Sequence, residues 1–242
     1  MSFRVQAFVC CFNEADILEW TLEHLQLQEV EAYVIDNWST DGSQHWANER
    51  FPAAGPSALY EWTAMLHRIE RLAATSKADW CMIYDADEIR RSRHPGETLR
   101  DALARFDRAG WTAADHEVFQ FWPVDDSYKG DPERSLLYYE RPKIDTRLPH
   151  IKAWRNIGPV DLASSAGHRA DFPGRYVAPE KLILKHYPIR TIAQAERKVM
   201  RDRIPRYDPA ERAKNWHVQY DEVSRTREWI KRPETLTKWE GM

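Results

Sequence analysis

Along the first 110 residues the apolar and polar positions change period in a repeating order. "RVQAFVCC", Arg4 to Cys11, is an apolar, β-branched run that reads as a strand, and in the following "FNEADILEWTLEHLQLQ" Leu18, Leu22 and Leu25 recur at i, i+4 and i+7, one face of an amphipathic helix. "EAYVIDN" repeats the strand signal and stops at "NWSTDGS", where Asp41-Gly42 breaks regular structure; a helix is expected from Ser43. Beyond a Pro- and Gly-rich connection, "TAMLHRIERLAATS" puts Met65, Leu66, Ile69 and Leu72 on one helical face, and "ADWCMIYD" is the next strand. "ETLRDALARFDRAG" then carries Leu99, Ala102, Leu103 and Phe106 at helical spacing before Gly110 ends it.

Strands alternating with helices at this pace predict an α/β fold, a Rossmann-like, mostly parallel sheet with helices on both faces. Such sheets bind ligands outside the carboxyl ends of their strands. Asn13 and Glu14, Asp36 and Asn37, and Asp85, Asp87 and Glu88 each follow a predicted strand, so all three groups are expected on one sheet edge.

From about Ala114 the pattern is less regular. "DHEVFQFWPV" and "KLILKHYP" read as strands, the middle is rich in Pro, Gly and aromatics, and a charged helix is expected over Ile192 to Arg206. With no repeat, low-complexity tract or linker, the 242 residues read as a single domain of three parts: 1–110, a less regular 111–190, and a basic helical extension over 191–242.

Composition changes this picture in a few places. A net charge of -3 gives no global signature for holding a polyanion. From Arg190 to Arg232, however, Lys and Arg outnumber Asp and Glu by 12 to 7, a surplus that serves phosphates or acidic lipid, or is a solvated helical face. Cys10, Cys11 and Cys81 match neither a zinc site nor a disulfide framework and read as buried small hydrophobes of a reducing compartment. No signal peptide or membrane span is legible, so a cytoplasmic protein is expected, with contact at the inner face of the membrane left open. Eleven Trp is a high count, and Trp122 and Trp154 are candidate sugar platforms as well as core residues.

Two carboxylates one residue apart at a strand end, Asp85 and Asp87, suit a hard divalent cation that keeps positions open for phosphate oxygens. The other reading is a solvated acidic turn paired with Arg90, Arg91 or Arg93.

Together, "VCCFNEADILEWTLEHL", "AYVIDNWSTDGS" and "WCMIYDADEI" resemble, in order and spacing, the donor half of family 2 glycosyltransferases with the GT-A fold. The later "LKHYPIRTIAQAERK" is similar to a His-Tyr segment of bacterial members. The resemblance implies a donor half over 1–110 and an acceptor half over 111–190. It implies Mn2+ or Mg2+ as cofactor, a UDP-, GDP- or dTDP-sugar as donor, and a glycan or glycolipid acceptor in bacterial surface glycan synthesis. Asp85 and Asp87 fall on the family's metal motif, Asp85 bordering the nucleotide as well; His186 takes the position of a third metal or diphosphate contact. Asn13 and Glu14 fall where the loop borders the nucleotide, Asp36 where the base or ribose lies, and Asp41 in the adjoining loop. Arg190 and Lys198 are candidates to neutralise the diphosphate, and His168, in a Gly-flanked loop, to face the acceptor. Inverting members place the carboxylate that deprotonates the acceptor in a Glu-Asp pair beyond the metal motif. This chain has none there, which leaves Asp126 in "FWPVDDS" and Asp161 in "GPVDLASS" as candidates.

Two other functions fit part of the pattern. A sugar-phosphate nucleotidyltransferase also uses an open sheet and acidic metal ligands, but "CCFNEAD" lacks its Gly-rich phosphate loop. A non-catalytic carbohydrate-binding protein would use the Trp residues without the metal.

Overall fold

The computed structural model describes residues 3–51, 59–141 and 149–241; the Pro- and Gly-rich connection at 52–58 lies outside them. β1 (Val5–Cys11) lies inside the first sheet, and its residues alternate between two cores. Val5, Ala7, Val9 and Cys11 enter one, Phe8 the other. The neighbouring β4 (Trp80–Asp85) does the same, with Trp80, Met82 and Tyr84 on the first side and Cys81 and Ile83 on the second. A strand covered on both faces reads as an unbroken apolar run, which is why these two were legible. α1 (Ala15–Leu27) and α3 (Leu99–Arg108) close the first core through Leu18, Leu25, Leu99, Leu103 and Phe106; α2 (Trp62–Thr75) closes the second through Met65, Leu66 and Ile69.

β2 (Glu31–Asp36) pairs parallel with β1, and β3 (Glu49–Arg50) parallel with β2. Beyond β4 the sheet turns antiparallel, through β9 (Ala153–Arg155) and then β6 (Ala113–Ala114). The order is β3-β2-β1-β4-β9-β6, so the expected parallel sheet is present and the second half of the chain extends it.

A second sheet has the order β11-β8-β7-β10-β5: β5 (Glu88–Arg91), β7 (His116–Trp122), β8 (Tyr138–Glu140), β10 (Leu182–His186) and β11 (Thr237–Lys238). The short helix α4 (Pro132–Ser135) precedes β8. Ile17 of α1 packs against Ile89, Phe119, Phe121 and Ile183 of this sheet. The architecture is mixed α/β, two sheets flanked by helices.

Some expectations need correction. The helix anticipated from Ser43 is one 3-10 turn, Ser43–Trp46. The charged helix over 192–206 starts as α5 (Ile192–Ala195), widens to a π-helix at Glu196–Arg203 and ends in a 3-10 turn at Ile204–Arg206. After it come only α6 (Pro209–Arg212) and α7 (Asp221–Thr226), 3-10 turns, and the edge strand β11, so 191–242 is not simply a helical extension. Trp122, Tyr207, Tyr220 and Trp229 pack this segment onto the molecule. No helix among the described residues is long and apolar enough to cross a membrane.

Candidate active site

The Asp-x-Asp motif is the joint between the two sheets. Asp85 ends β4 and Glu88 begins β5, so Ala86 and Asp87 are the whole of the link. Ala86 N–H donates to the Cys10 carbonyl (3.2 Å), Thr21 Oγ1 donates to the Ala86 carbonyl (2.6 Å), and Tyr187 N–H donates to the Asp87 carbonyl (2.8 Å). Both sheets and α1 thereby fix the motif. The strand registers bring the other polar strand ends level with it: Cys10 pairs with Asp85 and Cys11 with Asp36. His186 pairs with Glu88 across β10 and β5, which sets its Nε2 3.6 Å from Asp87 Oδ1.

At the end of β1, Asn13 takes a left-handed backbone conformation (φ 54°), one that Asn tolerates better than most residues. Its Oδ1 accepts from Thr40 N–H (2.8 Å), and its own N–H donates to Ser39 Oγ (2.9 Å). This bend sends Glu14 inward instead of out to solvent. Glu14 is 2% exposed and meets Arg190 at 2.5 Å and Lys198 at 2.6 Å. Lys198 also reaches Asp87 Oδ2 at 2.6 Å. The π winding contributes directly, because i→i+5 bonding stacks residues five apart: Lys198 and Arg203 both approach Glu14, Arg203 at 3.7 Å.

Lys152, one residue before β9, sits between Asp85 Oδ2 (2.8 Å) and Glu88 Oε1 (2.6 Å). The other Glu88 oxygen takes the Arg90 guanidinium. Burial alone would raise the proton affinity of Asp87, but the charge of Lys198 and the neighbouring His186 outweigh it and hold Asp87 well below the usual carboxylate range. Glu88 behaves likewise: Arg90 and Lys152 overcome its burial and hold it at about 2. Lys152 is raised, because Asp85 and Glu88 outweigh its burial. The centre is therefore a set of mutually paired acidic and basic groups.

Several predicted residues lie elsewhere or do something else. Arg190 is fully buried with Glu14 and Asp16, so it orders the first loop and offers no exposed guanidinium to a diphosphate. Asp36 is also fully buried and accepts Ser39 N–H (3.2 and 3.1 Å), while Asp41 accepts Ala15 N–H (3.0 Å) and Ser43 Oγ (2.7 Å); both shape loops. Asp126 accepts Ile192 N–H at the start of α5 (2.8 Å), and Asp161 accepts Ser164 N–H of a 3-10 turn (2.9 Å). Trp154 is 1% and Trp122 7% exposed, both in hydrophobic cores, which removes them as open sugar platforms. His168 is exposed in the loop beside 150–152. Lys152 and Arg203 were missed. A Lys between Ile151 and Ala153 in "HIKAW" was the available signal for Lys152; Arg203 had none beyond the basic surplus.

Of the three candidate ligands, Asp87 and His186 stand together, while Asp85 does not come within 4.8 Å of both. Cis ligands of an octahedral ion at about 2.1 Å stand about 3 Å apart, and the 3.6 Å between Asp87 Oδ1 and His186 Nε2 is close to that. Asp85 is one-third exposed and keeps Oδ1 free of hydrogen bonds to described residues. Among the described residues, the three-residue cluster with ligand atoms within 4.8 Å of one another is a different one, His94, Glu97 and Glu180. Arg105 already bridges both of its carboxylates at 2.8 Å.

No family model matches the chain. No curated protein matches it either. Among solved structures, residues 1–349 of S. aureus TarS align with 93% of this chain and 74% of their own length, at 14% identity and a TM-score of 0.44. A likeness at that level supports no inference about activity.

Proposed function

We propose that the chain is a glycosyltransferase. It moves a sugar from a nucleotide diphosphate donor to an acceptor hydroxyl, with a divalent cation, Mn2+ or Mg2+, held by Asp85, Asp87 and His186. The observation that carries this reading is the joint itself: an Asp-x-Asp pair at the carboxyl edge of a parallel sheet, with a His brought to it by the second sheet. A cation bound there neutralises the charge that grows on a diphosphate leaving group. Glycan or glycolipid acceptors, and a place in bacterial surface glycan synthesis on the cytoplasmic side, belong to the same proposal.

Two features disfavour the alternatives. The first strand-to-helix loop, Phe12-Asn13-Glu14, contains no glycine and holds its side chains in internal pairs, unlike a phosphate-cradling loop. The burial of Trp122 and Trp154 deprives a carbohydrate-binding protein of the platforms named for it.

The test is donor binding and hydrolysis across UDP-, GDP- and dTDP-sugars, in Mn2+ or EDTA, for wild type and Asp87→Ala. Metal-dependent binding of one donor, lost in the variant, is expected. Absence of binding to every donor in Mn2+ refutes the proposal.

A further inference from the structure

The proposed transfer needs a group that takes the acceptor's proton, and each carboxylate just described at the acidic joint is engaged. Glu14 faces Lys198 and Arg190, Asp85 faces Lys152, Asp87 faces Lys198, and Glu88 lies between Lys152 and Arg90. A carboxylate held in its ionised form by a lysine is a weak proton acceptor. Asp126 and Asp161 each place one carboxylate oxygen on a backbone N–H, of Ile192 and of Ser164.

One imidazole at this edge is different. The segment carrying His168 runs beside 150–152: Ile151 bridges with Arg169, and Ala170 N–H donates to the Ile151 carbonyl (2.9 Å). Lys152 in that neighbouring segment is the partner of Asp85. Gly167, in a left-handed conformation (φ 81°), presses this loop down on α2 and β4, where a Cβ would meet Leu66 at 3.0 Å and Ile83 at 3.1 Å. The His150 ring meets that of His168 edge to face, with centroids 5.2 Å apart, and orients it. The His168 side chain itself is exposed and makes no hydrogen bond or ion pair to a described residue. It is thus a positioned ring with open nitrogens, on the β9 side of Asp85.

We infer that His168 is the general base of this site. The acceptor oxygen attacks the anomeric carbon and the bond from that carbon to the diphosphate oxygen breaks. The electron pair leaves with the nucleoside diphosphate, and the acceptor proton passes to the unprotonated ring nitrogen of His168. The exposed imidazolium then returns the proton to solvent. The groups facing this ring are His150 and Lys152 from the neighbouring segment, Asp85 and Glu88 from the acidic joint and His186 from β10. Surrounding protein atoms and the charge of Lys152 lower its pKa from the ordinary histidine value, against Asp85 and Glu88, so the ring is a free acceptor at neutral pH.

This inference rests on the glycosyltransferase reading, and its test uses water as the acceptor. Release of nucleoside diphosphate from the donor selected by the panel is measured for wild type, His168→Gln and His168→Ala across pH, with donor affinity measured separately. Loss of the base is expected to lower kcat by about 100- to 10,000-fold. Donor affinity should be unchanged, and the acid limb of the wild-type profile, below about pH 6.5, should disappear. Added imidazole should restore part of the rate to His168→Ala. A His168→Gln enzyme that keeps more than about a tenth of wild-type kcat, with the same acid limb, overturns the assignment and leaves the glycosyltransferase reading intact. Failure of wild type to bind any donor removes both.

Discussion

Replacing Lys198 with Met tests the ion-pair core most directly. The ammonium lies 2.6 Å from Glu14 Oε1 and 2.6 Å from Asp87 Oδ2, with 3% of the lysine side chain exposed. Met fills the same volume without the charge. Glu14 then keeps Arg190 at 2.5 Å and Arg203 at 3.7 Å, whereas the ion pair left to Asp87 among the described residues is His186 at 3.6 Å. Removing one member of a buried pair costs about 3–5 kcal/mol, because the other charge is left without compensation. For a chain of this size that is a fall in Tm of about 6–20 °C, at about 2–4 °C per kcal/mol. The assay is thermal and guanidinium unfolding in EDTA, so that no cation substitutes for the lysine. The double variant Lys198→Met/Asp87→Asn removes the orphaned charge as well, and is expected to recover a substantial part of the loss. A single variant within about 1 kcal/mol of wild type refutes the pairing, since that is the value of an exposed surface pair. A double variant no more stable than the single one refutes the assignment of Asp87 as the orphaned partner.

Glu133 gives a pH-resolved prediction: burial would raise it, but the hydrogen bond from Arg91 and the charge of Lys185 prevail and hold it at about 2. A depressed carboxylate adds stability above its unfolded pKa of about 4.5 that is lost as pH falls towards about 2. The stability difference between wild type and Glu133→Gln, about 1–2 kcal/mol after allowance for partial exposure, should therefore be full above pH 4.5 and shrink below it; a flat difference between pH 2 and 5 refutes the pairing. Gly167→Ala introduces a left-handed alanine and contacts at 3.0–3.3 Å with Leu66, Ile83 and Trp62. It should lower stability by about 1–3 kcal/mol and slow donor hydrolysis by displacing His168, and an unchanged Tm would contradict the left-handed backbone.

What the sequence disclosed, and what it hid, follows from the range of the interactions. β1, β4 and the faces of α1, α2 and α3 were legible because burial on known sides imposes a period on neighbouring residues. β6 and β9 were not, because two or three residues are too few to show a period. The π-helix was hidden for another reason: "ERKVMRDR" has only Val199 and Met200 as apolar markers, and an i→i+5 winding matches no 3.6-residue pattern. The acids of the candidate site were visible at strand ends, but their cations were not. Lys152 stands 67 positions from Asp85, and Lys198 stands 111 from Asp87. A buried lysine has the same letter as a solvated one, and only the fold shows which is which. The same limit applies to Arg190, whose basic character suggested a phosphate and whose complete burial assigns it to Glu14 and Asp16.

These pairings bear on why a site of this kind would need a cation. Glu14, Asp16, Asp85, Asp87 and Glu88 face Arg90, Lys152, Arg190, Lys198 and Arg203, so the edge is balanced before any donor arrives. A diphosphate brings negative charge to a place where each of these basic groups is already committed to a carboxylate. Freeing one would leave a buried acid unpaired, at the several kcal/mol already estimated for Lys198. A divalent cation at Asp85, Asp87 and His186, as proposed above, would supply the missing positive charge without breaking a pair, and donor and cation would then enter as a nearly neutral unit. Their affinities are on this account coupled, and by linkage the factor by which Mn2+ tightens the donor must equal the factor by which the donor tightens Mn2+. A donor affinity that is the same in Mn2+ and in EDTA would refute this account.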